Sequence, residues 1–183
     1  MAFLSTVSIN ATGIQQVPIS RFLDTNGDGT GTKNAVGNYA SPTEFYIQPA
    51  AGTIYRIARM IVTIEDTTGF TATEYGNTGG ALANGVTVQT KNDSGAITDW
   101  TDQQPVTVNS EWGKMCYDVD LKSWGAGNEI LVARWTFERS GQQIRLDGDD
   151  ANNERFVVSL NDDLTGLIQH YFLVQGYSES SST

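Results

Sequence analysis

The chain has 183 residues, a formal net charge of −10 and a sequence pI of about 4.3. At this length one domain with a core of its own is the expected organisation, and the acidity argues against binding a nucleic-acid backbone, which needs concentrated Lys and Arg. Charged residues make up 17%, hydrophobic residues 39%, and there are 19 Gly; with abundant Thr, Asn, Ser and Asp this composition suits a turn-rich β fold. A single Cys, Cys116, allows no disulfide within the chain. The start, Met-Ala-Phe-Leu-Ser-Thr-Val-Ser, lacks the basic residues of a secretory leader, and no apolar run approaches the roughly 20 residues that span a bilayer.

In chain order, residues 1–20 come first. Phe3, Leu4, Val7, Ile9, Ile14, Val17 and Ile19 alternate weakly, and residues 2–20 carry no charge. This stretch reads as an edge strand or as an extended N-terminal arm laid on a neighbouring subunit. A loop dense in Gly, Asp and Asn follows at 21–34, then a connector through Pro42. Residues 43–66 hold the strongest β signal: a short run at 43–48, a Pro49–Gly52 break, and a long run from Thr53 to Ile64. Two such runs across a short Pro/Gly segment predict a hairpin. In the long run, strict alternation puts Ile54, Arg56, Ala58, Met60, Val62 and Ile64 on one side, and Tyr55, Ile57, Arg59, Ile61 and Thr63 on the other. Neither side is cleanly polar, as expected of a central strand.

Residues 67–84 form a long Gly-rich loop. Residues 85–91 and 96–100 predict a hairpin across Asn92-Asp-Ser-Gly, and 105–108 and 112–120 predict short extended segments. Glu129–Arg139 is the second strong strand, with 143–146 pairing back on it. An acidic loop follows at 147–154, and 155–160 and 166–177 supply the last strands. From Ser178 on the chain reads as a polar, disordered tail. The sum is eight to ten strands in an all-β fold, an antiparallel β-sandwich that is jelly-roll-like, with long loops. The domain organisation is an arm or edge strand at 1–20, one sandwich domain at 21–177, and a tail at 178–183.

Few motifs carry chemistry. Asp24-Thr-Asn26-Gly-Asp28-Gly29 matches the first half of a calcium loop, with oxygen ligands at alternate positions and Gly at the sharp turn. Its twelfth position is Ala35 where such a loop places a bidentate Glu, so a tight turn rich in left-handed positions is the plainer reading of Asp24, Asn26 and Asp28. No other cofactor is implied. Asp147, Asp149, Asp150 and Glu154 read as a solvated acidic loop. His170 is the sole His, and no Gly-x-Ser-x-Gly elbow accompanies it. Trp100, Trp112, Trp124 and Trp135 read as packing residues before they read as a sugar platform. The chain is expected not to be an enzyme.

Leu23-Asp-Thr-Asn-Gly-Asp-Gly-Thr-Gly-Thr-Lys-Asn-Ala, Thr43-Glu-Phe-Tyr-Ile, Tyr55-Arg-Ile and the closing Gln169-His-Tyr-Phe-Leu-Val-Gln-Gly-Tyr resemble small virion proteins of tailed bacteriophages. The resemblance covers most of the chain and is greatest to capsid cement, or decoration, proteins. It implies a jelly-roll or β-tulip module, a homotrimer seated over contacts of the major capsid protein on the outer surface of the head, assembly in the bacterial host cytoplasm, and no catalytic residue. On that reading Phe3, Leu4, Val7, Ile9 and Ile14 bind the partner, with neither nucleic acid nor membrane involved. Two other classes fit the same residues: a tail-side virion protein (fibre, adaptor or baseplate component) and a carbohydrate-binding β-sandwich.

Overall fold

The computed structural model describes residues 8–9, 15–66, 84, 86–99, 116–123, 129–137 and 144–181. Over these the chain is an antiparallel β-sandwich. Its strands are β1 (Ser8–Ile9), β2 (Gln15–Phe22), β3 (Thr43–Ile47), β4 (Thr53–Asp66), β5 (Val86–Lys91), β6 (Ile97–Asp99), β7 (Cys116–Ser123), β8 (Glu129–Thr136), β9 (Ile144–Asp147), β10 (Arg155–Leu160) and β11 (Leu167–Ser180). A seven-stranded sheet runs β1-β2-β11-β4-β8-β7, with β9 also on β4, and a four-stranded sheet runs β3-β10-β5-β6. The all-β sandwich expected from the β-branched runs is therefore what the chain forms. A jelly-roll winding is a finer statement than this strand order carries.

The inner faces of the two sheets enclose one core. Phe45 and Ile47 of β3, Val86 and Val88 of β5, and Phe156 and Val158 of β10 meet Ile57, Met60, Val62 and Ile64 of β4 and Phe172 and Val174 of β11, all buried. Aromatic rings tie the layers together, Phe45 to Phe172 at 6.3 Å and Phe137 to Phe156 at 5.8 Å between centroids. Burying each such side chain contributes about 1.5–3 kcal/mol.

β4 is central: β11 lines one edge, while β9 and then β8 line the other. Its burial changes phase half-way. Tyr55 and Ile57 face the core, then Met60, Val62 and Ile64 do. Opposite, Gln175 pairs Arg59 but Gly176 pairs Ile57, leaving Ala58 as an extra residue. This is a β-bulge, and one extra residue exchanges the two faces of a strand. The strict alternation expected from sequence is thus corrected. Ile54 and Arg56 share the outer face with Arg59 and Ile61, which is why neither side of the run reads as cleanly polar. Gly176 is required at the bulge, because a Cβ there would lie 1.9 Å from the Arg56 carbonyl oxygen.

Two expected hairpins are also corrected. β3 pairs β10 and lies in the small sheet, while β4 lies in the large one. The Pro49–Gly52 segment, with Thr53 N donating to Ala50 O at 3.1 Å, is a corner between layers. Likewise β9 follows β8 along the same edge of β4 and does not pair with it. The β5–β6 hairpin forms as expected. β11 continues to Ser180, into the stretch read as a tail, because Glu179 is held there by Arg56 Nε at 2.8 Å and Gln16 Nε2 at 3.3 Å.

Candidate functional site

The most built feature outside the core is the loop that leaves β2. Leu23 is buried, and Asp24 then bridges to the edge of the small sheet. Asp24 N donates to Tyr46 O at 3.2 Å and Tyr46 N to Asp24 O at 2.9 Å. The loop closes on itself where Thr25 N donates to Thr32 O and Thr32 N to Thr25 Oγ1, both at 3.1 Å. Inside it, Asp24 Oδ1 accepts from Asn26 N and Gly27 N, each at 2.7 Å. Gly27 has φ 76° and lies flat under the Tyr46 ring, so that a Cβ would stand 2.1 Å from a ring carbon. Its carbonyl accepts from Gln48 N at 3.0 Å, fastening the loop to the end of β3.

Asp28 Oδ1 takes both the hydroxyl (2.7 Å) and the backbone N–H (2.8 Å) of Thr30. Those bonds, with the nearby Arg21 charge, hold its carboxyl below the usual range. Two cations flank the loop. Lys33 Nζ donates to Gly29 O at 2.7 Å, and Arg21 donates from Nη1 to the Tyr55 hydroxyl at 2.8 Å. Arg21 Nη2 and Asp24 Oδ2 are both buried with no hydrogen-bond partner. Past the loop, Asn34 clamps β11 by donating from Nδ2 to Ile168 O (3.1 Å) and accepting His170 N (2.8 Å). Ala35 is buried in the core cluster.

His170 lies beneath this segment. Its ring is fully buried, 4.6 Å from Phe172, and donates from Nδ1 to Ala35 O at 3.2 Å. Burial pushes its pKa down to about 4, so the ring is neutral at pH 7 and serves packing.

The second acidic stretch is different. Asp147 takes Asp149 N (3.0 Å) and Arg145 Nη2 (2.8 Å). Asp149 takes Gly52 N (2.7 Å) and the Ser181 hydroxyl, Asp150 takes Asn152 N (2.7 Å), and Glu154 takes Asp147 N (2.9 Å). Each carboxylate is committed to a donor of the protein. Among the described residues there is no cluster of three or more His, Cys, Asp or Glu with metal-site geometry.

A third feature is the outer face of the large sheet around β2 and β11. Phe22 (41% exposed) lies there on β2, and Tyr177 (40%) lies opposite Pro18 on β11; Val17 (42%), five residues before Phe22, is exposed on the opposite face of β2. Beside Tyr177 the bulge leaves an open depression of ≈ 510 Å³, lined by Pro18, Ser20, Arg59, Thr136, Gln175 and Tyr177 among others. Arg59 Nε donates to Gln175 Oε1 at 2.5 Å, and Gln175 Nε2 to Ser20 Oγ at 3.3 Å.

Of the residues expected to bind a partner, Phe3, Leu4, Val7 and Ile14 lie outside the described residues, as do Trp100, Trp112 and Trp124. Ile9 lies in β1, opposite Gln15. Residues 15–20 are part of β2 in this chain's own sheet. Asp24, Asn26 and Asp28 are brought together in one loop. Sequence reasoning missed Arg21, Lys33 and Tyr46 as its frame; the signal for Lys33 was a lone cation within a Gly/Asp/Asn run. Comparison with protein families, with curated proteins and with solved structures finds no match.

Proposed function

We propose that this chain is a non-enzymatic structural protein of a phage particle. In this reading it is a capsid cement protein that, as a homotrimer, holds contacts of the major capsid protein on the outer head surface after assembly in the host cytoplasm. One observation carries the reading: three of the four large apolar side chains that remain exposed among the described residues lie on β2 and its neighbour β11, Phe22 and Tyr177 on the outer face and Val17 on the opposite face of β2. Apolar side chains grouped at a sheet margin favour burial against another chain. Repeated around a three-fold axis, a modest contact of this kind gains avidity. The resemblance to decoration proteins points the same way.

Deleting residues 2–20 would remove β2 from the sheet, so point variants are the sharper probe. Val17→Asp with Phe22→Asp is expected to leave the circular-dichroism spectrum unchanged while abolishing trimers in light scattering and co-sedimentation with heads that lack the protein. A trimer that survives both changes and still decorates heads would overturn the reading, and gold label found on tails would move the protein to the tail side.

A second reading rests on the depression beside Tyr177. An exposed ring next to an Arg, an amide and two hydroxyls is the chemistry of a small saccharide site. Glycan-array binding lost in Tyr177→Ala would favour it.

A further inference from the structure

We propose that the Asp24–Thr30 loop binds a divalent cation of the calcium class through Asp24 Oδ2, Asn26 Oδ1, Asp28 Oδ2 and the Thr30 carbonyl, a site independent of the proposed function. The loop spends only part of its oxygen. Asp24 gives Oδ1 to the N–H groups of Asn26 and Gly27, and Asp28 gives Oδ1 to both Thr30 donors. Asn26 donates from Nδ2 to Thr30 Oγ1 at 3.1 Å, which leaves its amide oxygen as an acceptor. Three side-chain oxygens two residues apart therefore remain uncommitted.

The decisive one is Asp24 Oδ2. Asp24 is 0% exposed, and this oxygen has neither a protein partner nor access to solvent. Its carboxylate is enclosed by both arms of the loop. The outgoing arm bonds to Oδ1, and on the returning arm a Cβ at Gly31 would stand 2.9 Å from that same Oδ1. A buried carboxylate oxygen left without a partner costs free energy that a hard cation recovers. The glycines agree. Gly29, with φ 95°, occupies the sixth position, where a calcium loop turns sharply.

Two features set the strength. Ala35, in the twelfth position, supplies no carboxylate, and Arg21 and Lys33 already place positive charge beside the loop. Both weaken binding, towards the range of extracellular calcium modules, a dissociation constant on the order of 0.1–1 mM. Mg²⁺, which demands a tighter octahedral shell, is expected to bind less well.

The test is calcium titration of the chelator-stripped full chain, read by calorimetry and by thermal melting. At about ten times the dissociation constant the melting temperature is expected to rise by about 3–6 °C, with a smaller rise in equal Mg²⁺. Asp28→Ala removes an exposed ligand and is expected to fold and to lose the rise, while Asp149→Ala in the other acidic loop keeps it. No calcium-dependent rise in the wild type, an equal rise with Mg²⁺, or a rise that survives Asp28→Ala would overturn the site.

Discussion

The two acidic loops of this chain look alike as text, Asp-Thr-Asn-Gly-Asp-Gly at 24–29 and Asp-Gly-Asp-Asp at 147–150, yet they differ in what they do with their carboxylates. The second loop spends its acids on its own backbone and neighbours, at or near the surface. The first encloses one acid completely and leaves an oxygen of it unspent. The difference is made by what each loop leans on. The first is pressed under the Tyr46 ring and tied to β3 through Gln48, whereas the second meets chain ends and turns, through Gly52 and Ser181. Carboxylate content alone therefore says little about a site; enclosure decides it.

The largest effect expected from this contrast is at glycine. Gly27→Ala forces a side chain into a left-handed residue and into the Tyr46 ring, and is expected to destabilise by about 4 kcal/mol. Gly52→Ala, beside the second loop, has the same backbone hand (φ 77°) with nothing within 4 Å, and is expected to cost about 1 kcal/mol. Urea unfolding of the two variants checks the difference. Next comes the carboxylate itself. Asp24→Ala leaves the Asn26 and Gly27 N–H groups unanswered in a buried loop and is expected to cost about 3 kcal/mol, against less than about 1 kcal/mol for the exposed Asp149→Ala. Equal losses at the two positions would erase the contrast.

A smaller effect comes from pH. His170 beneath the first loop stays neutral in the fold down to about pH 4. The unfolded chain accepts that proton near pH 6.5, so stability is whole above that pH and declines as pH falls towards 4. Between pH 7.5 and pH 5 the loss is expected to be about 2 kcal/mol, measured by urea unfolding, and His170→Gln should flatten it.

The strands themselves were legible in the sequence. Phe45 to Ile47, Ile54 to Ile64, Val86 to Val88 and Phe156 to Leu160 are apolar and β-branched enough to mark themselves. Their partners were not. Pro49–Gly52 offers turn chemistry that serves a hairpin or a corner equally well, and only the choice of β10 as the neighbour of β3 separates them. The face of each residue in β4 was legible for half the strand, because a bulge leaves no mark beyond an alternation that fails at Ala58. At the loop, the spacing of Asp24, Asn26 and Asp28 was visible. The burial of Asp24 was not, since it depends on Tyr46, which lies more than twenty residues further along the chain.

The bulge has one more consequence. β4 and β11 are each 14 residues long and pair along nearly their whole length. Two uniform ribbons of that size could slide by a two-residue step and still present apolar side chains inward. Ala58 and Gly176 forbid it, since any shift carries a side chain on β11 into the spot where only hydrogen fits against the Arg56 carbonyl. The irregularity works as a key in a lock barrel: it indexes the longest pair in the sandwich to one alignment.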